Sequence, residues 1–463
     1  ILFSSWEMVP RMISIMMSYY SELYTFGELK KTVPEIRYTS QKKNRYGENR
    51  LRADGLLEYP CRTLASLFSP AIFYGEKLSS IRKIIKQNIQ EEFARNSLIR
   101  TIPQQGRNNA RLVLTLMKIL DGKPVENLTG LYVPSNALDV MTDIAIASPA
   151  VCAYRQSGNE EDAQMVAKAV VSVFNKPESA AVIDLMYNKK NDDNYYESVL
   201  DYCAIGNLQA VLDEYLYMAP ENKKLGQVVT DAIIGTSNLS IDTTDSLGKE
   251  EKKQLMRCHF AIPFIDKTVT DKSVTRTTNI RKAFNSPFRP FLLSTTSIGQ
   301  EGLDFHWYAR KIVHWNLPSN PVDLEQREGR INRFKCLAIR RNVVKLYASE
   351  TYHTWDELFS MAYSNLKGMH SDIVPYWCLP VAELTEEQRA KLEYIERIVP
   401  LYPLSRDRYK YERLIKVLAL YRMTLGQPRQ EELLSLLRNM HLSDEQLKEL
   451  TIDLCPYNKI ESL

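Results

Sequence analysis

Gln326, Gly329, Arg330 and Arg333 fall at offsets of three, four and seven within the segment PVDLEQREGRINRF. On an α-helix those offsets share one face, so two guanidinium groups would stand beside a glycine that admits a close backbone approach. A guanidinium is a planar fork of donors matched to phosphate oxygens, and it stays charged at any physiological pH. The chemistry expected of such a face is phosphate recognition, or stabilisation of the charge that develops on a phosphoryl group in transfer. The bland alternative is a solvated basic helix after a loop.

The elements that must position this face are legible on either side. Phe291 to Leu293 is an apolar run entering STTSIGQEGLD, which predicts a short buried strand delivering a polar loop that closes on Gly302 and Asp304. Ile312 to Trp315 predicts a second strand. Ser319 or Asn320, ahead of Pro321, sets the start of a helix whose apolar residues are Val322, Leu324 and Ile331. Upstream, HFAIPF predicts a return to the sheet. VTRTTNIRKAFNSPFRPF then predicts a helix with Ile280, Ala283 and Phe284 inward and Arg276, Arg281 and Lys282 outward. Downstream, the β-branched NVVKLYAS predicts a strand that closes the sheet. The chain opens in another buried-strand pattern, ILFSSW, with no initiator Met, which makes a fragment of a larger protein the expectation. A helix over Val9 to Leu23 follows, and its stripe of Val9, Met12, Ile13, Met16 and Met17 is expected to pack on the sheet.

With these blocks in order, the chain resembles the superfamily 2 helicases and translocases. QREGRINR is similar to their motif VI pattern Gln-x-x-Gly-Arg-x-x-Arg, STTSIGQEGLD resembles motif V, and ILFSSW resembles motif IV. The approach HWNLPSNP is most similar to the chromatin-remodeller-like translocases and the large bacterial DEAD/DEAH-type helicases, relatives associated with action on foreign DNA. INRFK departs from the remodeller pattern, which ends Ile-Gly-Gln, and leaves duplex tracking open against strand separation. The resemblance covers about residues 1–23 and 257–349.

The resemblance implies an α/β fold, a RecA-like lobe with a mostly parallel sheet, in a chain that is mostly α overall. Residues 1–25 and 256–350 would form the second RecA-like lobe, 26–255 a largely helical insertion, and 351–463 a helical accessory domain. It also implies ATP bound between this lobe and a first one, which would supply the phosphate loop and the Mg2+ ligands. Arg333 would then be the arginine finger, Arg330 a phosphate contact or an ordering residue of motif VI, and Gln326 a polar coupler to the nucleotide. Gly329 and Gly302 would permit a close backbone approach to the nucleotide, and Asp304 would accept from the ribose or fix an arginine. Ser294 and Thr296 would meet a nucleic-acid phosphate, with capping of local turn amides as the alternative for both. Having no Gly-x-x-x-x-Gly-Lys-Ser/Thr loop, this chain alone is expected to hydrolyse no ATP. The expected partners are nucleic acid, DNA over RNA, and a first lobe in the same parent chain or a partner chain. The competing reading is a non-catalytic nucleic-acid-binding or scaffolding module that has kept the fold.

Composition bounds the rest. The 463 residues allow two or three domains, and a net charge of +4 requires any nucleic-acid surface to be a local patch. One candidate patch runs from Leu29 to Arg52, where Lys42, Lys43 and Arg45 are interleaved with Tyr38 and Tyr46; such a mixture tracks phosphates and stacks on bases, or is a solvated loop. The seven cysteines contain no Cys-x-x-Cys pair and the six histidines no metal-ligand spacing, so reduced thiols, a cytoplasmic location and no metal site are expected. No apolar run reaches a bilayer-spanning length, and no signal peptide or anchor is expected. Between residues 53 and 245 apolar residues recur at three and four, as in LSSIRKIIKQNIQEEF and ESVLDYCAIGNLQAVLDEYLYM, which predicts a bundle of amphipathic helices. VLDEYL in that bundle imitates the acidic pair of a motif II, but its setting is helical, and Asp213 and Glu214 are expected on a polar helix side. The stretch Thr236 to Lys253 is expected to be mobile. LTEEQRAKLEYIERIV, YERLIKVLALYRM and PRQEELLSLLRNM predict further helices in the tail.

Overall fold

The computed structural model describes residues 1–32, 51, 55–96, 99–102, 110–125, 131–187, 195–220, 223–233, 237–241, 254–264, 271–296, 303–348, 354–365, 373–380, 384–424, 428–440, 442–443, 445–446 and 449. Most of the described residues are helical. Five strands make one parallel sheet in the order Ala261–Phe264, Leu292–Thr295, Leu2–Phe3, Lys311–His314, Glu396–Ile398. The first strand of the chain is the middle one. Leu2 lies opposite Ser294 and Val313, and Phe3 opposite Thr295 and His314. Parallel strands covered on both faces are apolar throughout, and the core joins Phe3, Phe264, Ile280, Phe284, Leu293, Phe305, Ile312 and Ile331. Residues from both ends of the long intervening segment therefore share one core. This is a RecA-like lobe with helical regions around it.

The helix after the first strand, Met8–Thr32, packs on the sheet by a different face from the one expected. Pro10, Ser14 and Ser18 are buried, whereas Met12 and Met16 are each 46% exposed. Ser14 Oγ lies 2.7 Å from Ser294 Oγ, and Ser18 Oγ exchanges bonds with the backbone of Ala261. Small hydroxyl side chains let helix and strand approach closely while satisfying each other's polar atoms; methionines there would hold them apart.

The segment after that helix is built as expected from amphipathic helices. Leu78–Ala94 buries Ile81, Ile85, Ile89 and Phe93, one residue per turn. The VLDEYL stretch lies in the helix Leu208–Met218, which is separated from Tyr195–Ile205 at the left-handed Asn207. Two small strand pairs interrupt the helices: Ile99–Ile102 with Leu131–Pro134, parallel, and Ser237–Ile241 with Gln254–Cys258, antiparallel. The second pair places a strand within the stretch expected to be mobile, of which residues 242–253 lie outside the described residues. Among the described residues no single helix is long and apolar enough to cross a membrane; one bent pair, Asn136–Ala147 with Pro149–Ser157, passes by length and composition, and many of its apolar side chains lie in the helical core.

Downstream of the central stretch the structure corrects the sequence reading twice. NVVKLYAS is not a strand: its residues 342–347 lie in the helix Leu337–Tyr347, which packs Ala338, Ile339 and Val343 against Leu358, Phe359 and Ala362. Tertiary packing overrides the β propensity of its two valines. The edge position is filled instead by Glu396–Ile398, from LTEEQRAKLEYIERIV, whose helix covers only Glu386–Lys391 behind a Thr385 capping box. The tail thus completes the lobe's sheet as well as supplying helices.

Candidate functional site

The carboxyl ends of the central strands converge. Ser4 Oγ, after the first strand, donates to Asn316 Oδ1 at 2.7 Å, after the fourth. Ligands of open parallel sheets bind outside such strand ends. Asn320 caps the next helix, its side chain accepting from Val322 N at 3.0 Å, with Pro321 in the first turn. The helix runs only from Pro321 to Glu328. Gly329, Arg330 and Arg333 therefore lie in the turn beyond it, and the single helical face expected for the four residues is not formed.

Asp304 and Arg333 meet across this turn. Arg333 Nε donates to Gly329 O at 2.8 Å and lies 3.2 Å from Asp304 Oδ1. The N–H is aimed at the carbonyl, and among the described residues Oδ1 has no hydrogen-bond donor, so the contact with Asp304 is an ion pair by proximity. Arg281 Nη2 stands 3.8 Å from the other carboxylate oxygen. Asp304 therefore stands beside two arginines. The Arg333 side chain is 39% exposed, with Nε carrying its hydrogen bond and its ion pair among the described residues.

Arg330 is buried, and its carbonyl accepts from Phe305 N at 3.0 Å, which laces the end of the motif V segment to the motif VI turn. Gln326 is exposed. Gly329 has a right-handed helical backbone, and a Cβ there would sit 3.3 Å from Glu325 O, so its freedom is used for packing within the turn. Ser294 is fully buried, with Oγ 2.7 Å from Ser14 Oγ and donating to Pro10 O at 2.8 Å. It pins the Met8–Thr32 helix to the sheet and presents nothing to a nucleic acid, which corrects that expectation. Thr296 is half-buried at the strand end. Gly302, Lys42, Lys43 and Arg45 lie outside the described residues.

Two residues that matter here, Arg327 and Glu328, were not singled out from the sequence. Arg327 is buried in the helix, where Nη1 donates to Asn316 O at 3.1 Å and the guanidinium covers the Phe3 ring at 5.5 Å. Its signal was available: with Leu324 and Ile331 it follows helical spacing on the inward face. Burial holds Arg327 below its usual pKa, with Asp323 opposing and Arg330 reinforcing that shift. His306 is buried, and desolvation, reinforced by Arg340, Arg333 and Arg281 against Asp304, lowers its pKa to about 4. It is neutral at pH 7. Glu328 receives His314 Nε2 at 3.3 Å and both arms of Arg397 from the edge strand. Burial pushes the Glu328 carboxyl up, but the bonds from His314 and Arg397 outweigh it and hold the carboxyl below its usual range.

A parallel five-stranded sheet whose strand ends carry this arginine turn is the RecA-like lobe of the chain. Residues 233–335 match the helicase conserved C-terminal domain, the second lobe of superfamily 1 and 2 helicases. The matched span contains Asp304, Gln326, Arg330 and Arg333, while the sheet's middle strand, Leu2–Phe3, and its edge strand, Glu396–Ile398, come from outside it. Comparison with curated proteins and with solved structures gave no match.

Proposed function

We propose that this chain is the C-terminal motor half of an ATP-dependent nucleic-acid helicase or translocase, closest in kind to the remodeller-like and large bacterial members of superfamily 2. The observation that carries it is the Asp304–Arg333 pair, beside the backbone bond from Phe305 N to Arg330 O that ties the two segments together. A half-exposed guanidinium fixed through Nε suits an arginine finger, whose remaining donors stabilise charge on a transferring γ-phosphoryl group. The donor set fits the γ-phosphate side of a shared ATP site: Arg333 would touch the phosphate, Arg330 would order the turn, and Gln326 and the Gly302 loop would face the nucleotide. ATP would supply the phosphoryl group, and Mg2+ would be held by carboxylates of a first lobe. Thr296 and the basic segment at Lys42, Lys43 and Arg45 would contact the backbone of DNA rather than RNA, positioning the strand without reading sequence.

The test is steady-state ATP turnover by a form of the protein that includes the first lobe, with and without duplex DNA, single-stranded DNA and RNA. Nucleic-acid-stimulated turnover is expected, with negligible turnover by the 463-residue chain alone. Tight nucleic-acid binding with no turnover in any form would support the scaffolding module instead.

A further inference from the structure

We infer that Glu214 and Tyr217, on the helix Leu208–Met218, are positioning residues for the motif VI arginines, acting through Arg340 and an aromatic box closed on Lys335. This rests on reading motif VI as the phosphate-facing element. Lys335 lies two residues beyond Arg333 with φ at 52°, a left-handed conformation that a side chain this large seldom adopts unless its surroundings hold it there. Its N–H donates to Tyr376 O at 2.8 Å and its carbonyl accepts from Arg340 Nη1 at 2.6 Å. Its ammonium stands 4.1 Å from the ring centre of Tyr217, 5.3 Å from Phe334, 5.4 Å from Phe359 and 5.7 Å from Tyr376. The rings are themselves stacked, Tyr217 on Phe359 at 5.9 Å and Phe359 on Tyr376 at 5.5 Å. A partly buried cation among π faces is attracted to each of them.

Arg340 supplies the second grip. It is fully buried, and besides the Lys335 carbonyl it donates to Trp307 O and, at 2.7 Å, to Glu214 Oε1. Trp307 lies three residues beyond Asp304, so one buried guanidinium ties the Asp304 segment to the segment that follows Arg333. A buried charge requires such pairing, and removing one acceptor strands it. Glu214 and Tyr217 are three residues apart and share one helix face. One helix, in the segment inserted between the first two strands of the sheet, thereby holds the chain at residues 335 and 340, immediately after the arginine turn. Glu214, one half of the acidic pair that imitates a metal-binding motif, is in this reading a mechanical contact.

The test uses Tyr217→Leu, Tyr217→Phe and Glu214→Gln. In the 463-residue chain, amide hydrogen exchange across residues 329–336 is expected to accelerate on the order of tenfold in Tyr217→Leu. Exchange in the helix Ser135–Ala147 should stay unchanged, and Tyr217→Phe, which keeps the π face, should remain within about twofold of the parent. In a form with the first lobe, Tyr217→Leu and Glu214→Gln should lower kcat on the order of tenfold or more while leaving KM for ATP within about twofold. Unchanged exchange at 329–336 overturns the proposal, as does loosening spread through the whole helical segment or a phenylalanine variant that behaves like leucine. Arg333→Ala separates the two readings. If it abolishes turnover while Tyr217→Leu leaves turnover intact, the positioning proposal fails; if neither variant changes turnover, the motif VI reading fails.

Discussion

Glu328 and Arg397 are joined by two parallel bonds, Nε to Oε1 at 2.5 Å and Nη2 to Oε2 at 2.7 Å. The first residue belongs to the motif helix and the second to an edge strand that the chain reaches only in its tail. Arg422, from the helix Asp407–Met423, adds a second tie by donating to Glu325 on the same motif helix. The motif helix is therefore clamped from outside the matched domain.

Arg397→Ala should destabilise the chain by about 1–2 kcal/mol, a value held down because the pair is partly exposed. Arg397→Lys should restore only part of this, since an ammonium cannot make both bonds at once. Paired with Glu328→Gln in a double-mutant cycle followed by urea denaturation, the losses should be less than additive. Full additivity would show that the bidentate contact contributes nothing.

His306 gives a pH dependence with a definite sign. Its folded pKa of about 4 lies below the usual value of 6.5, so the unfolded chain binds the proton more readily. The stabilisation from keeping it neutral is complete above about pH 6.5, is lost as pH falls toward 4, and levels off below that. His314, also lowered by burial and opposed by Glu328, contributes in the same direction. Between pH 6.5 and 4.5 the parent should therefore lose stability faster than His306→Gln, by roughly 2 kcal/mol across the window. Equal slopes in denaturant titrations would place the acid sensitivity elsewhere.

The basic segment carries a prediction from composition alone, because Lys42, Lys43 and Arg45 lie outside the described residues. Replacing all three by Ala in the form that binds nucleic acid should weaken binding and flatten the log affinity against log salt plot by about one unit per lost phosphate contact. An unchanged slope would return the segment to a solvated loop.

The legible parts of the fold were those where local pattern and tertiary context agree. FLLST, KIVH and HFAIPF are apolar runs because a parallel strand is covered on both faces, and Asn320–Pro321 starts a helix by its own chemistry. The misread parts are those where a partner distant in sequence decides. Met12 and Met16 carry the periodicity of a buried stripe, but Ser14 and Ser18 match the strand backbone better. NVVKLYAS has strand propensity, yet the buried Arg340 and its acceptors from residues 214, 307 and 335 hold that region as a helix. The site followed the same rule. Spacing singled out Arg330 and Arg333 as candidates, but it could not show that the helix stops at Glu328, that Asp304 stands beside Arg333, or that Lys335 is left-handed.

Arg333 gives the sharpest expectation. If its guanidinium meets the γ-phosphate across the lobe interface, Arg333→Ala should cut nucleic-acid-stimulated turnover by roughly 10³-fold or more. ATP affinity should fall far less, since the contact strengthens as charge develops in the transition state. Arg333→Lys should not rescue, because a point charge reproduces neither the planar fork nor the Nε–H bond to Gly329 O. Asp304→Asn keeps the shape but removes the charge beside Nε, and should give an intermediate loss through a less fixed finger. Folding should be spared in all three, as the Arg333 and Asp304 side chains are 39% and 32% exposed and outside the core. The measurements are turnover with and without nucleic acid, ATP affinity, and a thermal melt on the same preparations. Near-normal stimulated turnover in Arg333→Ala, or a loss that merely tracks unfolding, would move the finger to another arginine, and Arg330, in the same turn, would be the one to replace next.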